Sequence, residues 1–122
     1  MDSGSRSDGD MMPLVLQENT AQDSTTGYVS LLKCRITERQ KCTIVITNSH
    51  AANGIKYVVW VSNDPLGSAA SFATEKTEST LAALACERHV VSGSFAWVDV
   101  RIIDASGGAH GIGNAWLHSC GV

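Results

Sequence analysis

The stretch of sequence that decides the fold is residues 95–104, which read FAWVDVRIID. Every second side chain is apolar, namely Ala96, Val98, Val100 and Ile102. The side chains between them point the other way and include Trp97, Asp99 and Arg101. A period of two residues is that of a half-buried antiparallel strand. The sequence therefore predicts a β-strand with one face in a core.

A second strand-like stretch, residues 112–120, lies a short distance further along the chain. The connection between the two, residues 105–111, reads ASGGAHG. Its glycines allow the positive φ angles that a reversal of the chain requires. We therefore expect the two stretches to pair with each other as a hairpin.

Length and composition limit the class of protein. The chain has 122 residues, 43% of them hydrophobic and 17% charged, which suits one domain with one core. A net charge of -3 without a run of lysine or arginine argues against nucleic acid or an anionic membrane as a partner. No apolar run approaches the roughly 20 residues of a membrane-spanning helix. The first residues also lack an apolar secretion signal, so we expect synthesis in a cytoplasm.

The first 27 residues differ in composition from the rest. They are rich in Ser, Asp, Gly, Thr and Gln, which favours disorder in isolation. They contain one apolar patch, formed by Met11, Met12, Pro13, Leu14, Val15 and Leu16. We therefore predict an extended N-terminal arm, residues 1–27, followed by a β-sandwich domain, residues 28–122. The patch is predicted to be an interface with a neighbouring subunit.

Further strands are predicted by the same alternation. Residues 28–36 and 42–47 each place apolar side chains on one face, and residues 55–62 place them on both, which favours a central strand. Residues 71–77 suit a short strand, while 78–87 fit either one helical turn or an extended loop. About seven to eight short strands indicate an all-β fold, an antiparallel two-sheet β-sandwich of the jelly-roll or immunoglobulin-like kind.

The cysteines and histidines do not form a recognised metal motif. A cytoplasmic origin favours buried thiols over disulfides for the cysteines, which are Cys34, Cys42, Cys86 and Cys120. Cys34 and Cys42 flank a predicted turn and are the pair to consider in an oxidising compartment. Cys86 with His89, and His118 with Cys120, have spacings that zinc could use but lack the paired spacing of a zinc finger. We predict neither a metal nor another cofactor.

The sequence contains no set of catalytic residues that we can assign. Each available acid has a structural explanation: Asp64 lies in a turn, Asp104 ends a strand, and Asp99 can pair with Arg101. The motifs of acyl, phosphoryl and glycosyl transfer are missing. The glycine pairs precede a strand, whereas a dinucleotide-binding loop opens a helix. We therefore predict a protein that is not an enzyme.

Two tryptophans are predicted to lie on polar faces of a sheet. Trp97 shares a face with Asp99 and Arg101, and Trp116 shares one with Asn114 and His118. An aromatic ring among hydrogen-bonding groups suits a protein interface or a sugar ring. The interface or ligand platform is thus predicted at Trp97, Asp99, Arg101 and Trp116. The alternative is that a loop or the arm of the same chain covers these rings, and Trp60 is assigned to the core.

Two segments carry a resemblance to a known group of proteins. Residues 57–64 read YVVWVSND, residues 90–102 read VVSGSFAWVDVRI, and a Gly107-Gly108 turn follows. In strands and turns, residues 28–117 resemble small β-sandwich virion proteins of tailed bacteriophages, such as head-decoration, head-fibre and tail-associated proteins. No catalytic residues carry over.

The resemblance implies a structural protein of the virion, assembled in the host cytoplasm. It implies many copies, often trimers, whose arm grips a neighbour or the shell, with the major capsid protein or other virion proteins as partners. The alternative from another class is a carbohydrate-binding or host-adhesion module that uses Trp97 or Trp116 as a platform.

Overall fold

The computed structural model describes residues 14–36, 41–91, 93 and 95–119. These residues form eight strands and a short 3-10 helix, Ala69–Ser71. The strands are β1 (Leu14–Asp23), β2 (Val29–Arg35), β3 (Cys42–Asn48), β4 (Ile55–Ser62), β5 (Ala73–Leu81), β6 (Cys86–Val91), β7 (Trp97–Asp104) and β8 (Ile112–Ser119). Within the described ranges, no helix is long and apolar enough to cross a bilayer.

The strands form two four-stranded sheets, in the orders β1-β8-β3-β6 and β2-β7-β4-β5. All neighbouring strands are antiparallel. β1 pairs with β8, β2 with β7, β3 with β6 and β4 with β5, as in a long ribbon folded between β4 and β5 and rolled into two layers. This topology is a jelly roll. The predicted all-β, two-sheet antiparallel sandwich is confirmed, and of its two alternatives the jelly roll is the one observed.

The core lies between the sheets and follows the predicted alternation. In β3 the side chains of Cys42, Ile44 and Ile46 are buried, while those between them are half-exposed. The prediction that residues 55–62 form a central strand is confirmed, because β4 lies between β7 and β5. Burial of every second side chain from both sheets removes much apolar surface from water, which is the main stabilising contribution.

The predicted hairpin between residues 95–104 and 112–120 is wrong. β7 pairs with β2 and β4, whereas β8 pairs with β1 and β3, so the connection carries the chain from one sheet to the other. The two strands meet across the core instead: a Cβ on Gly113 would lie 2.8 Å from Ile102 Cδ1. Alternation shows that each strand buries one face. It does not distinguish pairing side by side from packing face to face.

The same reasoning corrects the predicted relation of Cys34 to Cys42. Both side chains are buried, but β2 and β3 belong to different sheets. The two cysteines therefore do not face each other across a hairpin.

Of the two alternatives for residues 78–87, the extended one is observed. β5 continues to Leu81, a turn follows, and β6 begins at Cys86. Leu81 is fully buried at the end of β5, because it packs into the core between the sheets.

The boundary predicted for the N-terminal arm differs from the structure. Residues 14–23 form β1, an edge strand that pairs with β8, so this part of the predicted arm belongs to the sandwich. Leu16 packs against the core and anchors the strand. The polar composition that indicated disorder also suits an edge strand, which has one side open to water. Met11, Met12 and Pro13 lie outside the described residues.

Candidate interaction surfaces

The residues predicted as one platform lie on opposite sides of the molecule. Trp97, Asp99 and Arg101 are on the outer face of the sheet β2-β7-β4-β5, here called the β7 face, with Ser30, Lys33, Lys56 and Trp60. Trp116 is on the outer face of the other sheet, here called the β8 face. The β8 face also includes Val15, Glu18, Thr43, Val45, Arg88, Val90 and His118, together with a further row of Asn114, Thr47 and Cys86. The structure thus contains two candidate surfaces.

On the β7 face, Asp99 is only 2% exposed. Its carboxylate accepts hydrogen bonds from Ser30 Oγ at 2.7 Å and Arg101 Nε at 2.9 Å. The Arg101 guanidinium lies 4.9 Å from the centre of the Trp60 ring, a cation-π contact. A buried carboxylate needs such partners to offset its desolvation. Asp99 therefore positions Arg101 over Trp60.

The Trp97 ring lies against the chain's own loop between β4 and β5. Its Nε1 donates a hydrogen bond to Pro65 O at 3.1 Å. Gly67 has a φ of +63°, and a Cβ there would lie 2.8 Å from Trp97 Cε2, so this close approach requires glycine. Lys33 Nζ donates to Gly67 O at 3.2 Å and lies 5.6 Å from the Trp97 ring centre. Much of this aromatic surface is thus used within the chain.

The assignment of Trp60 to the core is wrong. Ile55, Tyr57, Val59 and Val61 of β4 face the core, so Trp60 points outward and is half-exposed. The sequence contained the signal for this, because Trp60 is an odd number of residues from each of the inward side chains. Apolar residues on both faces of the strand concealed it.

On the β8 face, side chains from all four strands form two rows. Directly opposite residues of antiparallel strands share a face. The first row is Glu18, Trp116, Val45 and Arg88. The second row is Val15, His118, Thr43 and Val90. Val15 is 47% and Val90 43% exposed, so two aliphatic side chains at the edges face solvent beside a half-exposed tryptophan.

The described part of the predicted arm interface divides between this face and the core. Val15 lies on the β8 face opposite His118, and Leu16 packs against the core. Leu14 begins β1 opposite Ser119. The structure therefore places Val15 of the patch on an exposed surface.

At one end of the sandwich, Ser24, Asp104 and His110 form a polar cluster. Ser24 Oγ donates to Asp104 Oδ1 at 2.5 Å and accepts from Gly111 N at 2.8 Å. His110 Nδ1 lies 3.0 Å from both carboxylate oxygens, and Gly108 N donates to Oδ2 at 3.2 Å. In a catalytic triad the serine bonds to the histidine, whereas here both bond to the aspartate. The cluster thus holds the β7-β8 connection to the segment after β1.

This cluster makes the stability of the fold depend on pH. Burial raises the pKa of the Asp104 carboxyl, but hydrogen bonds from Ser24 and His110 outweigh it and hold the pKa below the ordinary value of 3.8. A carboxyl whose pKa is lower in the folded state stabilises the fold above its unfolded pKa, and that stability is lost as pH falls through the folded pKa. We expect Ser24→Ala to lower the melting temperature more at pH 7 than at pH 2.5, measured by circular dichroism.

The matched control for this prediction is Ser106→Ala, an exposed serine in the same connection. It should change the melting temperature by a similar small amount at both pH values. Equal losses for Ser24→Ala at pH 7 and pH 2.5 would contradict the role given to the Asp104 carboxylate.

Other ionisable groups join the two sheets at the β5 and β6 edges. Tyr57 Oη donates to Glu87 Oε1 at 2.5 Å, and His89 Nε2 lies 3.4 Å from Glu75 Oε2. Burial and the hydrogen bond to Glu87 raise the pKa of Tyr57 above its usual range. Among the described residues, no group of three or more His, Cys, Asp and Glu side chains is placed to hold a metal ion. These contacts stabilise the sandwich across its open side.

Comparison with known proteins shows the fold. No protein-family model and no curated protein matches the chain. The crystal structure of PirA is similar, with a TM-score of 0.58 at 10% identity over 84% of this chain and 92% of that one. The fold is the shared property. Identity this low does not extend to activity.

Viral and prophage proteins are also among the structural neighbours. The SPBc2 prophage-derived protein YomS has a TM-score of 0.49 at 12% identity, over 88% of this chain and 96% of that one. A chain of infectious bursal disease virus, Gx strain, has a TM-score of 0.44 at 13% identity, over 90% of this chain and 33% of that one.

Proposed function

We propose that this protein is a non-enzymatic structural protein of a virion that assembles in many copies. The observation that carries the proposal is the β8 face. The middle of its first row is aromatic and aliphatic, with Trp116 and Val45, and the ends of that row carry Glu18 and Arg88. An apolar centre with charges confined to the rim is the composition of protein interfaces.

The ionisable groups of the described residues support a structural role over a catalytic one. Asp99 is held by Ser30 and Arg101, and Asp104 by Ser24 and His110. A catalytic acid or base must reach a substrate proton. These carboxylates are instead engaged in contacts that position the chain's own strands and loops.

The jelly roll is compatible with this proposal without deciding it. Viral capsid domains use the fold, as do lectins and cupins. In a shell, each copy contributes several small contacts that add through multivalency, so a single weak face is sufficient. The partners proposed are other copies of this chain and the major capsid protein or other virion proteins, after assembly in the host cytoplasm.

The segment before β1 is proposed to contribute to assembly. We expect deletion of residues 1–13 to leave the melting temperature within a few degrees of wild type, because every described strand remains. The same deletion should reduce assembly, measured by light scattering and negative-stain electron microscopy at rising protein concentration. Met11→Ser with Met12→Ser should act in the same direction, while Ser3→Ala with Ser5→Ala serves as the control.

The proposed location of the protein in virus particles requires a separate measurement. Mass spectrometry of virus particles purified from the producing host should detect the chain in many copies per particle. A chain that is absent from the particles, or a full-length protein that assembles no better than the truncated one, would contradict the proposal.

A further inference from the structure

The first row of the β8 face has a charge at each end. Glu18 on β1 and Arg88 on β6 lie at opposite edges of the sheet, with Trp116 and Val45 between them. Neighbouring strands are about 4.8 Å apart, so the two charged residues start about 14 Å apart and cannot pair with each other. Each therefore presents its charge to whatever covers the face.

A two-fold axis that runs parallel to the strands, above the sheet and midway between β8 and β3, would place this row against the same row of a second copy. The operation exchanges β1 with β6 and β8 with β3. Glu18 of one copy then meets Arg88 of the other, twice, and Trp116 meets Val45. Sheets that pack face to face keep their strands within about 30° of each other, which this axis allows.

The second row fits the same axis. Val15 of one copy meets Val90 of the other, so the two most exposed aliphatic side chains of the face cover each other. His118 meets Thr43. A two-fold axis perpendicular to the strands would instead bring Glu18 onto β1 and Arg88 onto β6 of the second copy, with like charges together.

We propose that the β8 face is an isologous interface, and that its occupant is a second copy of this chain, related by a two-fold axis parallel to the strands. The inference rests on the proposed function, for which it names the partner. It assigns a two-fold contact to this face, whereas the sequence resemblance implies trimers.

The area of the β8 face indicates how tightly two copies should bind each other. Four strands and the seven residues of β3 span roughly 19 by 24 Å, or about 450 Å² per copy. Stable interfaces bury about 800 Å² per partner. The isolated dimer is therefore weak, and in an assembly it would be strengthened by the other contacts of each copy.

Charge reversal tests the pairing. The full chain is followed by analytical ultracentrifugation from about 10 µM to 1 mM, the range of a weak dimer. We expect Glu18→Arg and Arg88→Glu each to raise the dimer dissociation constant at least tenfold, because each variant places like charges together. An equimolar mixture of the two should associate again, since both of its contacts join opposite charges.

Matched controls come from the β5-β4 side of the other sheet. Glu78→Arg, at an exposed position, and Lys56→Glu, at a half-exposed one, make the same charge changes away from the β8 face, and should leave association unchanged. Trp116→Ser should abolish it. The melting temperature of every variant confirms that it is folded.

The outcomes separate the inference from the proposed function. A wild-type chain that stays monomeric to 1 mM, or a mixture that fails to associate, would overturn the two-fold interface. Virus particles that contain the chain but assemble normally with Trp116→Ser would also overturn it while the proposed function stands. Dimers that pass the charge test, from a chain absent from particles, would support the interface and reject the virion role.

Discussion

Replacing Asn48 by alanine should lower the free energy of unfolding by about 3 kcal/mol. Asn48 ends β3 and is 1% exposed. Its amide nitrogen donates to carbonyl oxygens, and its amide oxygen accepts from backbone nitrogens. The carbonyls are those of Asn53, Leu81 and Ala82, at 2.9, 3.2 and 3.3 Å, and the nitrogens are those of His50 and Ile112, at 3.0 and 3.3 Å. Alanine would leave these backbone groups without that partner.

Urea unfolding followed by tryptophan fluorescence measures this loss. Asn53→Ala is the matched control, because Asn53 Nδ2 makes one exposed hydrogen bond, to His110 O at 3.0 Å, and its loss should cost no more than about 1 kcal/mol. Asn48→Asp keeps the acceptor, loses the donor and buries a charge, so it should not rescue the fold. If Asn48→Ala and Asn53→Ala prove equally mild, Asn48 does not hold together the loop after β3, the end of β5 and the start of β8.

Placing valine at position 113 should destabilise the fold by about 2–3 kcal/mol. Gly113 is where β8 approaches β7 across the core, and even a Cβ would lie 2.8 Å from Ile102 Cδ1 and 3.3 Å from Leu31 Cδ2. Ile102 is fully buried, and a close-packed core has little room to accept a displaced methyl group. The sheets would have to separate locally.

A clash with Ile102 as the cause of this loss is tested by removing Ile102 Cδ1, the atom nearest to the added side chain. Ile102→Val deletes Cδ1, so the double variant Gly113→Val with Ile102→Val should lose less stability than the two single losses added together. Gly107→Val, at a turn glycine where an added Cβ would meet no atom within 4 Å, should have little effect. Strict additivity of the two single changes would refute a direct clash between positions 113 and 102.

The sequence predicted the strands well because a sandwich buries one face of each. Val98, Val100 and Ile102 are fully buried as the alternation indicated, and β4 is central as its two apolar faces suggested. Alternation contains no information on which strand lies alongside. β7 pairs with β4 and with β2, whose Cys34 lies opposite Val98 although it is far away along the chain. The local pattern favoured the nearer β8.

The candidate surfaces were predictable only where they depended on a single strand. Trp97, Asp99 and Arg101 alternate within β7, so their common face followed from the sequence. The row from Glu18 to Arg88 requires the register of four strands. It also requires the β-bulge between Val15 and Gln17, which changes the side chains that β1 turns outward. Neither is encoded in a local pattern.

The place of β8 in its sheet has a consequence for how the chain folds. β8 lies between β1 and β3, yet the ribosome makes it after both. Until it emerges, β1 has no neighbour in its sheet, while β2, β7, β4 and β5 can already pair. Closure of the first sheet is therefore a late step that joins distant parts of the chain, and topologies of this kind fold slowly, in milliseconds to seconds.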